Sequence, residues 1–198
     1  MYKAADFDNL FDASEDPWSF RTRWYEQRKR ALTLASLPER RYRRVFEPGC
    51  ANGELTALLA LRCDHLLAID GARRAVELAR ERNRQHRHVR IEQASLPANW
   101  PDDEFDLVVL SELGYFLDDQ AWAETIASTR QSLRPGGTVV ACHWRPAIEG
   151  CPRAGDEVHR QLERGLNMPR LLQWVDDDFR LEVWCCDPRS VGAREGLA

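Results

Sequence analysis

Apolar residues recur along the chain at two alternating spacings, one typical of amphipathic helices and one typical of buried strands. The helical spacing predicts helices over Arg23–Leu37, Gly53–Arg62, Arg73–His86, Ala121–Leu133 and Asp156–Arg164. Shorter runs rich in β-branched and aromatic residues predict strands over Arg43–Glu47, Leu66–Asp70, Val89–Gln93, Phe105–Leu110 and Thr138–Trp144. Strands that alternate with helices in this way predict an α/β fold with a doubly wound sheet and helices on both faces.

The last two strand-like runs differ from the others because no helix separates them. Leu171–Val175 and Phe179–Cys186 are joined by three aspartates, which predicts an antiparallel hairpin. The sequence therefore predicts a single-domain, Rossmann-like sheet of seven strands with this hairpin at its C-terminal end. Residues 1–42 are expected to form an N-terminal lid and helix, residues 43–186 the main domain, and residues 187–198 a flexible tail.

Two segments carry weaker signals. No element is predicted for the acidic, aromatic leader Tyr2–Trp18. Arg134-Pro135-Gly136-Gly137 is predicted to end the fourth helix and to form a turn before the fifth strand. In a doubly wound sheet, ligands bind beyond the carboxyl ends of the strands, where the strand order reverses. We therefore expect the functional residues directly after each strand.

The charge of the chain is nearly balanced. Lys and Arg number 28 against 32 Asp and Glu, which gives a net charge of −4. A nucleic-acid binder would carry a basic surplus, so no nucleic-acid partner is expected. No run approaches the ~20 apolar residues of a membrane span, and Met1–Phe20 lacks the apolar run of a signal peptide. A cytoplasmic protein without a membrane partner is therefore expected.

The cysteines do not follow a metal-binding pattern. The six cysteines are Cys50, Cys63, Cys142, Cys151, Cys185 and Cys186. They form no CxxC pair, and four of them lie in or beside apolar runs. Without a secretion signal, such cysteines are usually small buried hydrophobic side chains. We expect free thiols and no metal site.

The loop after the first strand reads Glu47-Pro48-Gly49-Cys50-Ala51-Asn52-Gly53 and is followed by a helix. It lacks the GxGxxG pattern of dinucleotide-binding loops, and its acid would repel a pyrophosphate. The same acid is well placed to hold the ammonium group of a ligand with an amino-acid moiety. Asp70 ends the second strand, where a carboxylate can accept hydrogen bonds from ribose hydroxyls. Together these features predict an adenosine cofactor.

At this point the chain resembles class I S-adenosylmethionine (SAM)-dependent methyltransferases. The residues that carry this resemblance are the first glycine loop, Asp70, the strand Phe105–Ser111 and the turn Leu133–Gly137. A closer resemblance, over nearly the whole chain, is to the nodulation protein S family. It is carried by Asp16-Pro17-Trp18, Arg21, Tyr25-Glu26, Lys29, Phe46–Cys50, Val108–Glu112, Gly114-Tyr115, His143-Trp144-Arg145, Gly155-Asp156 and His159.

The resemblance implies SAM as the cofactor and S-adenosylhomocysteine as its product. It implies that Glu47 and Gly49 lie beside the methionine part and that Asp70 binds the ribose. Ala94, Ser95 and Leu96 would lie beside the adenine, where relatives commonly carry an aspartate in place of Ser95. The other implied cofactor residues are Trp18, Arg21 and Tyr25 in the leader, and Cys50, Gly53, Gly71 and Ser111 after the strands.

Members of this family methylate the free amine of a de-N-acetylated chitooligosaccharide. The resemblance therefore implies a small-molecule or oligosaccharide amine as the acceptor. The sequence leaves the oligomeric state open between a monomer and a weak dimer. An amine must be neutral to attack, so a base or hydrogen-bond acceptor is expected near it. Glu112 is the first candidate and His143 the second, with Tyr115 positioning the acceptor. A purely structural bond from His143 to the backbone is an equal alternative, and His159 is expected to be structural.

Three other functions remain open on the sequence. The first is a class I methyltransferase with another O- or N-acceptor. The second is an NAD-dependent oxidoreductase, which the missing GxGxxG pattern and Glu47 oppose. The third is a catalytically silent cofactor-binding protein, which Ser95 leaves open. The main domain uses most of the chain, so the leader Tyr2–Arg23 and the connection Arg145–Pro169 are expected to select the acceptor.

Overall fold

The computed structural model describes residues 3–197; Met1, Tyr2 and Ala198, at the ends of the predicted lid and tail, lie outside the described residues. Its strands are β1 Tyr42–Pro48, β2 Cys63–Asp70, β3 Val89–Gln93, β4 Phe105–Ser111, β5 Leu133–Trp144, β6 Arg170–Val175 and β7 Phe179–Cys185. Its helices are α1 Ala4–Ala13, α2 Trp24–Ala35, α3 Glu54–Leu59, α4 Arg73–Arg82, α5 Asp119–Gln131, α6 Gly155–Leu166 and α7 Val191–Arg194. A single 3₁₀ turn, Ala60–Arg62, follows α3.

The seven strands form one mixed sheet in the order β3-β2-β1-β4-β5-β7-β6. Strands β1 to β5 are parallel, and β7 runs antiparallel between β5 and β6. This confirms the predicted seven-stranded sheet with its antiparallel hairpin. The strand order reverses between β1 and β4, so their carboxyl ends flank the position where such sheets bind ligands.

Alternate residues of the central strands face opposite layers of helices. Val45, Leu66 and Leu107 pack with α2, α3 and α4 on one face, whereas Phe46 and Val108 pack with α5 and α6 on the other. Both layers are tightly filled, and the largest fully buried side chains include Trp122 and Trp184. Truncating either to alanine costs about 3–5 kcal/mol of unfolding free energy in a typical core.

The leader contains α1, which the sequence pattern did not predict. Its Phe7 and Phe11 are one helical turn apart, and Phe11 is buried against Ala72, Ala75 and Leu78 near the start of α4. Asp8 accepts a hydrogen bond from the Arg74 backbone N–H at 2.9 Å and so caps α4. The sequence offers only a short run, Phe7, Leu10 and Phe11, in an acidic segment, and the helix is stabilised by long-range packing that the sequence pattern does not show.

Two further boundaries differ from the predictions. The segment 134–137 does not separate α5 from a later strand; instead β5 begins at Leu133 and contains a bulge, with Gly136 at a φ of +79°. After residue 187 the chain forms the short helix α7. There Arg194 Nη2 donates to the backbone oxygen of Asp187 at 2.9 Å and contacts Cys185 Sγ at 3.3 Å.

Candidate functional site

A cavity of about 1090 Å³ lies at the carboxyl ends of β1, β2, β4 and β5. Its floor is the edge of the sheet at the β1–β4 reversal, and α1 and α2 contribute the walls on the other side. Residues from Lys3 to Arg30 thus contribute to the wall of the cavity that faces the ends of the strands. The cavity is the place where a doubly wound sheet is expected to bind its ligand.

The loop after β1 turns sharply at two glycines. Gly49 has a φ of +75°, and its N–H donates to the Ile69 backbone oxygen at 2.7 Å. Gly53 has a φ of +79°, and a Cβ there would lie 2.6 Å from Asn83 Nδ2 and 2.9 Å from Ala79 Cα. Gly49 therefore lines the cavity, whereas Gly53 lets α3 approach α4 and does not line it.

Glu47 is a buried carboxylate in the wall of the cavity. It is 3% exposed, and its Oε2 has no hydrogen-bond partner within residues 3–197. Burial, with a smaller contribution from the nearby charge of Asp70, raises the pKa of Glu47 to about 8. Asn52, also buried against the cavity, likewise leaves its side-chain oxygen without a donor among these residues. Buried acceptors without donors are costly, so each of these oxygens is free to accept a hydrogen bond from a ligand.

Asp70 lies at the end of β2, half-buried beside the same cavity. Its Oδ2 accepts from the Ala51 N–H and its Oδ1 from the Ala72 N–H, both at 2.9 Å. Burial raises the pKa of Asp70, while these backbone hydrogen bonds oppose the shift. The carboxylate is held in one orientation by two neighbouring loops and retains free lone pairs for a ligand hydroxyl.

The wall after β3 is formed by Ala94, Ser95 and Leu96. The Ala94 N–H donates to the Asp70 backbone oxygen at 3.0 Å, which joins this segment to the end of β2. Ser95 is exposed, and its N–H donates to the Asn99 side chain at 3.2 Å. A Cβ on the neighbouring Gly71 would lie 3.5 Å from Ser95 Oγ, so these two residues share one narrow part of the cavity.

A cluster of aromatic side chains, most of them from the N-terminal segment, lines one wall of the cavity. The Trp18 ring lies 5.5 Å from that of Phe11 and 5.4 Å from that of Phe20, and the Phe7 ring meets Phe116 edge-on at 5.0 Å. All five side chains line the cavity. Of these ring contacts, the one between Phe7 and Phe116 joins α1 to the segment that follows β4.

Arg21 does not take the position that the resemblance implies. Its Nε lies 3.2 Å from Glu54 Oε1, and its side chain is largely exposed and does not line the cavity. Arg23 and Arg30 line it instead. Arg30 also fixes the lid, because its Nη2 donates to the Phe20 backbone oxygen at 2.8 Å.

The α2 end of the cavity holds three buried or half-buried charges, which we call the charged triad: Glu26, Lys29 and Glu112. Lys29 Nζ lies 3.1 Å from Glu26 and 2.8 Å from Glu112. Burial lowers the pKa of Lys29, but the two carboxylates outweigh burial and raise it above its usual range. Burial also raises the pKa of Glu26. With all three groups ionised, the triad carries a net charge of −1.

Glu112 follows β4 in a conformation that few side chains adopt. Its φ is +53°, stabilised by a 2.9 Å hydrogen bond from its N–H to the Cys142 backbone oxygen. Its Oε2 accepts from the Tyr115 hydroxyl and, at 3.3 Å, from the Trp144 N–H. Positive φ at a residue other than glycine is a strain that concentrates at functional sites. Here it turns the Glu112 carboxylate towards the cavity.

Tyr25 adds an unsatisfied hydroxyl to this end. Its ring lies 4.9 Å from Lys29 Nζ and 5.6 Å from the Trp144 ring. Its buried oxygen has no hydrogen-bond partner in the described part of the chain, and burial raises its pKa. The α2 end therefore combines the charged triad, two aromatic rings and a free hydrogen-bonding group.

His143 does not line the cavity, which corrects its expected place in the site. Its side chain is fully buried, and its Nε2 accepts from the Gly114 N–H at 3.2 Å. Its Nδ1 lies 3.2 Å from His159 Nε2. His143 contacts the site through the backbone of Gly114 and through an edge-on ring contact with Tyr115, whose centroid lies 5.5 Å away.

The cavity thus brings together most of the residues that the sequence singled out. Those that line it are Trp18, Tyr25, Glu47, Gly49, Cys50, Asp70, Gly71, Ala94, Ser95, Leu96, Ser111, Glu112 and Tyr115. Arg21, Gly53 and His143 do not. Sequence reasoning assigned no role to Glu26, Lys29 or Asn52. The first two are three residues apart on a helix, a spacing that usually indicates an exposed ion pair.

Within residues 3–197, no helix is both long and apolar enough to cross a membrane. The same residues contain no cluster of three or more His, Cys, Asp or Glu side chains suited to a metal ion. The six cysteines are free thiols, of which Cys151 and Cys186 are half-buried and the others buried.

The sequence profile of the family described as Nodulation protein S (NodS) matches residues 7–161. Nodulation protein S of Sinorhizobium fredii is 33% identical over 130 residues, which are 65% of this chain and 60% of that protein. Nodulation protein S of Rhizobium tropici is 30% identical over 145 residues, 72% of this chain and 60% of that protein. The chain therefore spans about 60% of the length of these relatives.

Two crystal structures share the fold. A candidate methyltransferase from Pseudomonas syringae is 49% identical, with a TM-score of 0.74 over 82% of this chain and 99% of that chain. The N-methyltransferase NodS from Bradyrhizobium japonicum WM9, in complex with S-adenosyl-L-homocysteine, is 24% identical, with a TM-score of 0.84 over 94% of this chain and 98% of that chain. The seven-stranded α/β methyltransferase fold is therefore confirmed.

Proposed function

We propose that this chain, which belongs to the nodulation protein S family, is a SAM-dependent methyltransferase that methylates an amine. The observation that carries the proposal is one cavity lined by two groups of acidic side chains, one at the ends of β1 and β2 and one on α2 and after β4. At the β1 end, Glu47 presents a buried oxygen without a partner in the described residues. At the α2 end, the charged triad presents a net negative charge. The first suits the ammonium group of a cofactor and the second suits an amine acceptor.

The residues present at the β1 end fit SAM. Glu47 and Asn52 would accept hydrogen bonds from its ammonium group, and Asp70 would accept them from the ribose hydroxyls. The segment Ala94–Leu96 would lie against the adenine, as Ser95 stands at the rim of that part of the cavity. When bound, SAM supplies an electrophilic methyl group on a cationic sulfur. The chain's task is then to orient the two reactants and exclude water.

The charged triad supports an amine rather than an anion as the acceptor. A nitrogen that gains a methyl group also gains positive charge, which a nearby net charge of −1 stabilises. We propose that Glu112 accepts a hydrogen bond from the acceptor nitrogen and that Tyr115, bound to Glu112, positions it. The partnerless Tyr25 hydroxyl would supply a further contact. His143 is not part of this contact surface.

An amino sugar, alone or at the end of a de-N-acetylated oligosaccharide, is the acceptor class that we propose. The support is the family membership together with the rings of Tyr25 and Trp144, which flank the charged triad and can pack against the apolar faces of a sugar. We also propose that residues 3–42 act as a lid over both ligands. The lid residues Phe7, Trp18 and Lys29 all line the cavity.

The proposal is tested by transfer of a labelled methyl group from SAM to glucosamine oligomers. One oligomer set carries a single free amine, and a matched set is fully N-acetylated. We expect label on the free amine and none on the acetylated set. Equal label on both sets would show O-methylation and contradict the amine assignment. Label on a simple amine but on no oligomer would contradict the sugar assignment alone.

A further inference from the structure

A row of buried polar side chains, which we call the histidine row, crosses the core behind the cavity. It starts at His143 on β5, continues through His159 on α6 and ends at Glu182 on β7. The two imidazoles lie 3.2 Å apart between Nδ1 of His143 and Nε2 of His159, and His159 Nδ1 lies 2.6 Å from Glu182 Oε2. All three side chains are fully buried. None of them lines the cavity.

The first hydrogen bond fixes the protonation of every later group. The Gly114 N–H can only donate, so His143 Nε2 carries no proton and its Nδ1 carries one. That proton is donated to His159 Nε2, and His159 therefore carries its own proton on Nδ1, facing Glu182. Both imidazoles are neutral, and burial lowers the pKa of each.

At the far end of the histidine row, arginines at the edge of the sheet neutralise the Glu182 carboxylate. Glu182 Oε1 accepts from Arg170 at 2.9 Å, and from Arg180 and Gln173 at 2.8 Å each. Burial raises the pKa of Glu182, but His159 and Arg180 outweigh burial and hold this pKa down to about 2. Glu182 therefore remains an ionised acceptor that holds the His159 proton on Nδ1.

At the near end of the histidine row, His143 binds the backbone between Glu112 and Tyr115. While His143 accepts from the Gly114 N–H, Arg153 Nη1 donates to the Gly114 oxygen at 2.7 Å. Both polar groups of this residue are thus bound by buried side chains. A Cβ at Gly114 would lie 2.5 Å from Val158 and 2.9 Å from Trp122, so the turn has no room to shift.

We propose that His143 and His159 are positioning residues, whose fixed tautomers hold the Gly114 turn and thereby place Glu112 and Tyr115 at the acceptor. This inference rests on the proposed function, since the acceptor contacts are assigned there. It differs from a purely structural role because it requires one tautomer, not merely a filled space. Loss of that tautomer should change turnover more than cofactor affinity, because Glu47 and Asp70 lie on other strands.

Two substitutions of the same residue separate the tautomer from the packing. In His159→Gln the side-chain oxygen can reach the position of Nε2 and still accept from His143. In His159→Asn the amide lies at the position of Nδ1, so it can bind Glu182 but leaves the His143 proton without an acceptor. We expect His159→Gln to keep kcat within about threefold, and His159→Asn to lower it about tenfold, the effect of one lost hydrogen bond. The affinity for S-adenosylhomocysteine should stay unchanged in both.

A measurement on the wild-type protein tests the tautomers without any turnover. Nitrogen-15 NMR of the imidazoles should show His143 protonated on Nδ1 and His159 protonated on Nδ1. Hydrogen exchange of the Gly114 amide should be slow in the wild type and faster in His159→Asn. Protonation of His143 on Nε2, equal kcat in the two variants, or unchanged Gly114 exchange in His159→Asn would each overturn the inference. If the wild type methylates no amine while the tautomers are as stated, only the proposed function fails.

Discussion

Lys29 Nζ lies 2.8 Å from Glu112 Oε1, although 83 residues separate them in sequence. Lys29 belongs to α2 in the N-terminal segment, and Glu112 follows β4 in the middle of the sheet. The ion pair therefore joins the segment that covers the cavity to the strand end that forms its floor. Because the side chain of Lys29 is only 6% exposed, water screens this pair little.

Removal of the lysine charge should destabilise the protein strongly. Lys29→Met leaves Glu26 and Glu112 facing each other without a counter-charge. Breaking a buried ion pair by removing one partner costs about 3–5 kcal/mol. We expect a loss of this size in the free energy of unfolding, measured with urea, together with weaker turnover.

A matched control lies one residue earlier on the same helix. Arg28 forms a 3.0 Å ion pair with Asp176, but both side chains are about one-third exposed. Arg28→Met should therefore cost about 1–2 kcal/mol, because it removes an exposed ion pair and the cation–π contacts of Arg28 with Trp174 and Phe179. Equal losses in the two variants would contradict the part assigned to Lys29.

Cofactor affinity should depend on pH through Glu47. Burial raises the pKa of Glu47 to about 8, so below that pH the empty protein holds the carboxyl protonated. An ammonium group favours the ionised form, so binding must release the proton. The affinity for S-adenosylhomocysteine should therefore rise as the pH increases from 6 to 8.

Glu47→Gln should remove this pH dependence and weaken binding by about 1.5–3 kcal/mol, the value of a hydrogen bond to a charged group. Glu54→Gln is the control, because Glu54 also lines the cavity but is already paired with Arg21 and Arg82. It should keep the wild-type profile. A profile that stays steep in Glu47→Gln would assign the proton to another group.

Asp70→Ala should weaken cofactor binding by about 1–3 kcal/mol, because charge-assisted hydrogen bonds to the ribose would be lost. The measurement is the dissociation constant of S-adenosylhomocysteine. Asp64→Ala, at the exposed start of the same strand, should leave that constant unchanged. Unchanged affinity in Asp70→Ala would show that the ribose lies elsewhere.

Glu112→Gln should slow methyl transfer at least about tenfold, because the acceptor nitrogen loses its ionised hydrogen-bond acceptor. Cofactor affinity should stay within about twofold, because the proposed cofactor contacts Glu47 and Asp70 lie at the ends of β1 and β2, whereas Glu112 follows β4. Glu149→Gln, which changes an exposed residue, should alter neither the rate of methyl transfer nor the cofactor affinity. A rate unaffected by Glu112→Gln would remove Glu112 from the mechanism.

The sheet could be predicted from the sequence because its central strands are covered on both faces. Phe105–Leu110 is nearly all apolar, and it forms most of β4. The glycine loop and Asp70 were also recognisable, since their function depends on residues close in sequence and on the ends of strands. The structure brings these residues together in one wall of the cavity.

The α2 end of the cavity could not be predicted in the same way. Lys29 looks like half of an exposed ion pair with Glu26 until α2 is packed against β4, because its main partner, Glu112, is distant in sequence. For His143 the sequence predicted a place in the site, and the structure places the ring outside it. It ends a strand, as a site residue should, but its ring points into the core towards α6. Side-chain direction at a strand end depends on tertiary packing, which periodicity does not encode.

The central claim is that the cavity binds a SAM-type cofactor through Glu47 and Asp70. Calorimetric titration of the wild-type protein with S-adenosylhomocysteine, and separately with NAD, tests it most directly. We predict saturable heat with S-adenosylhomocysteine at one site per chain and none with NAD. Binding of NAD without binding of S-adenosylhomocysteine, or no heat with either ligand, would contradict the account.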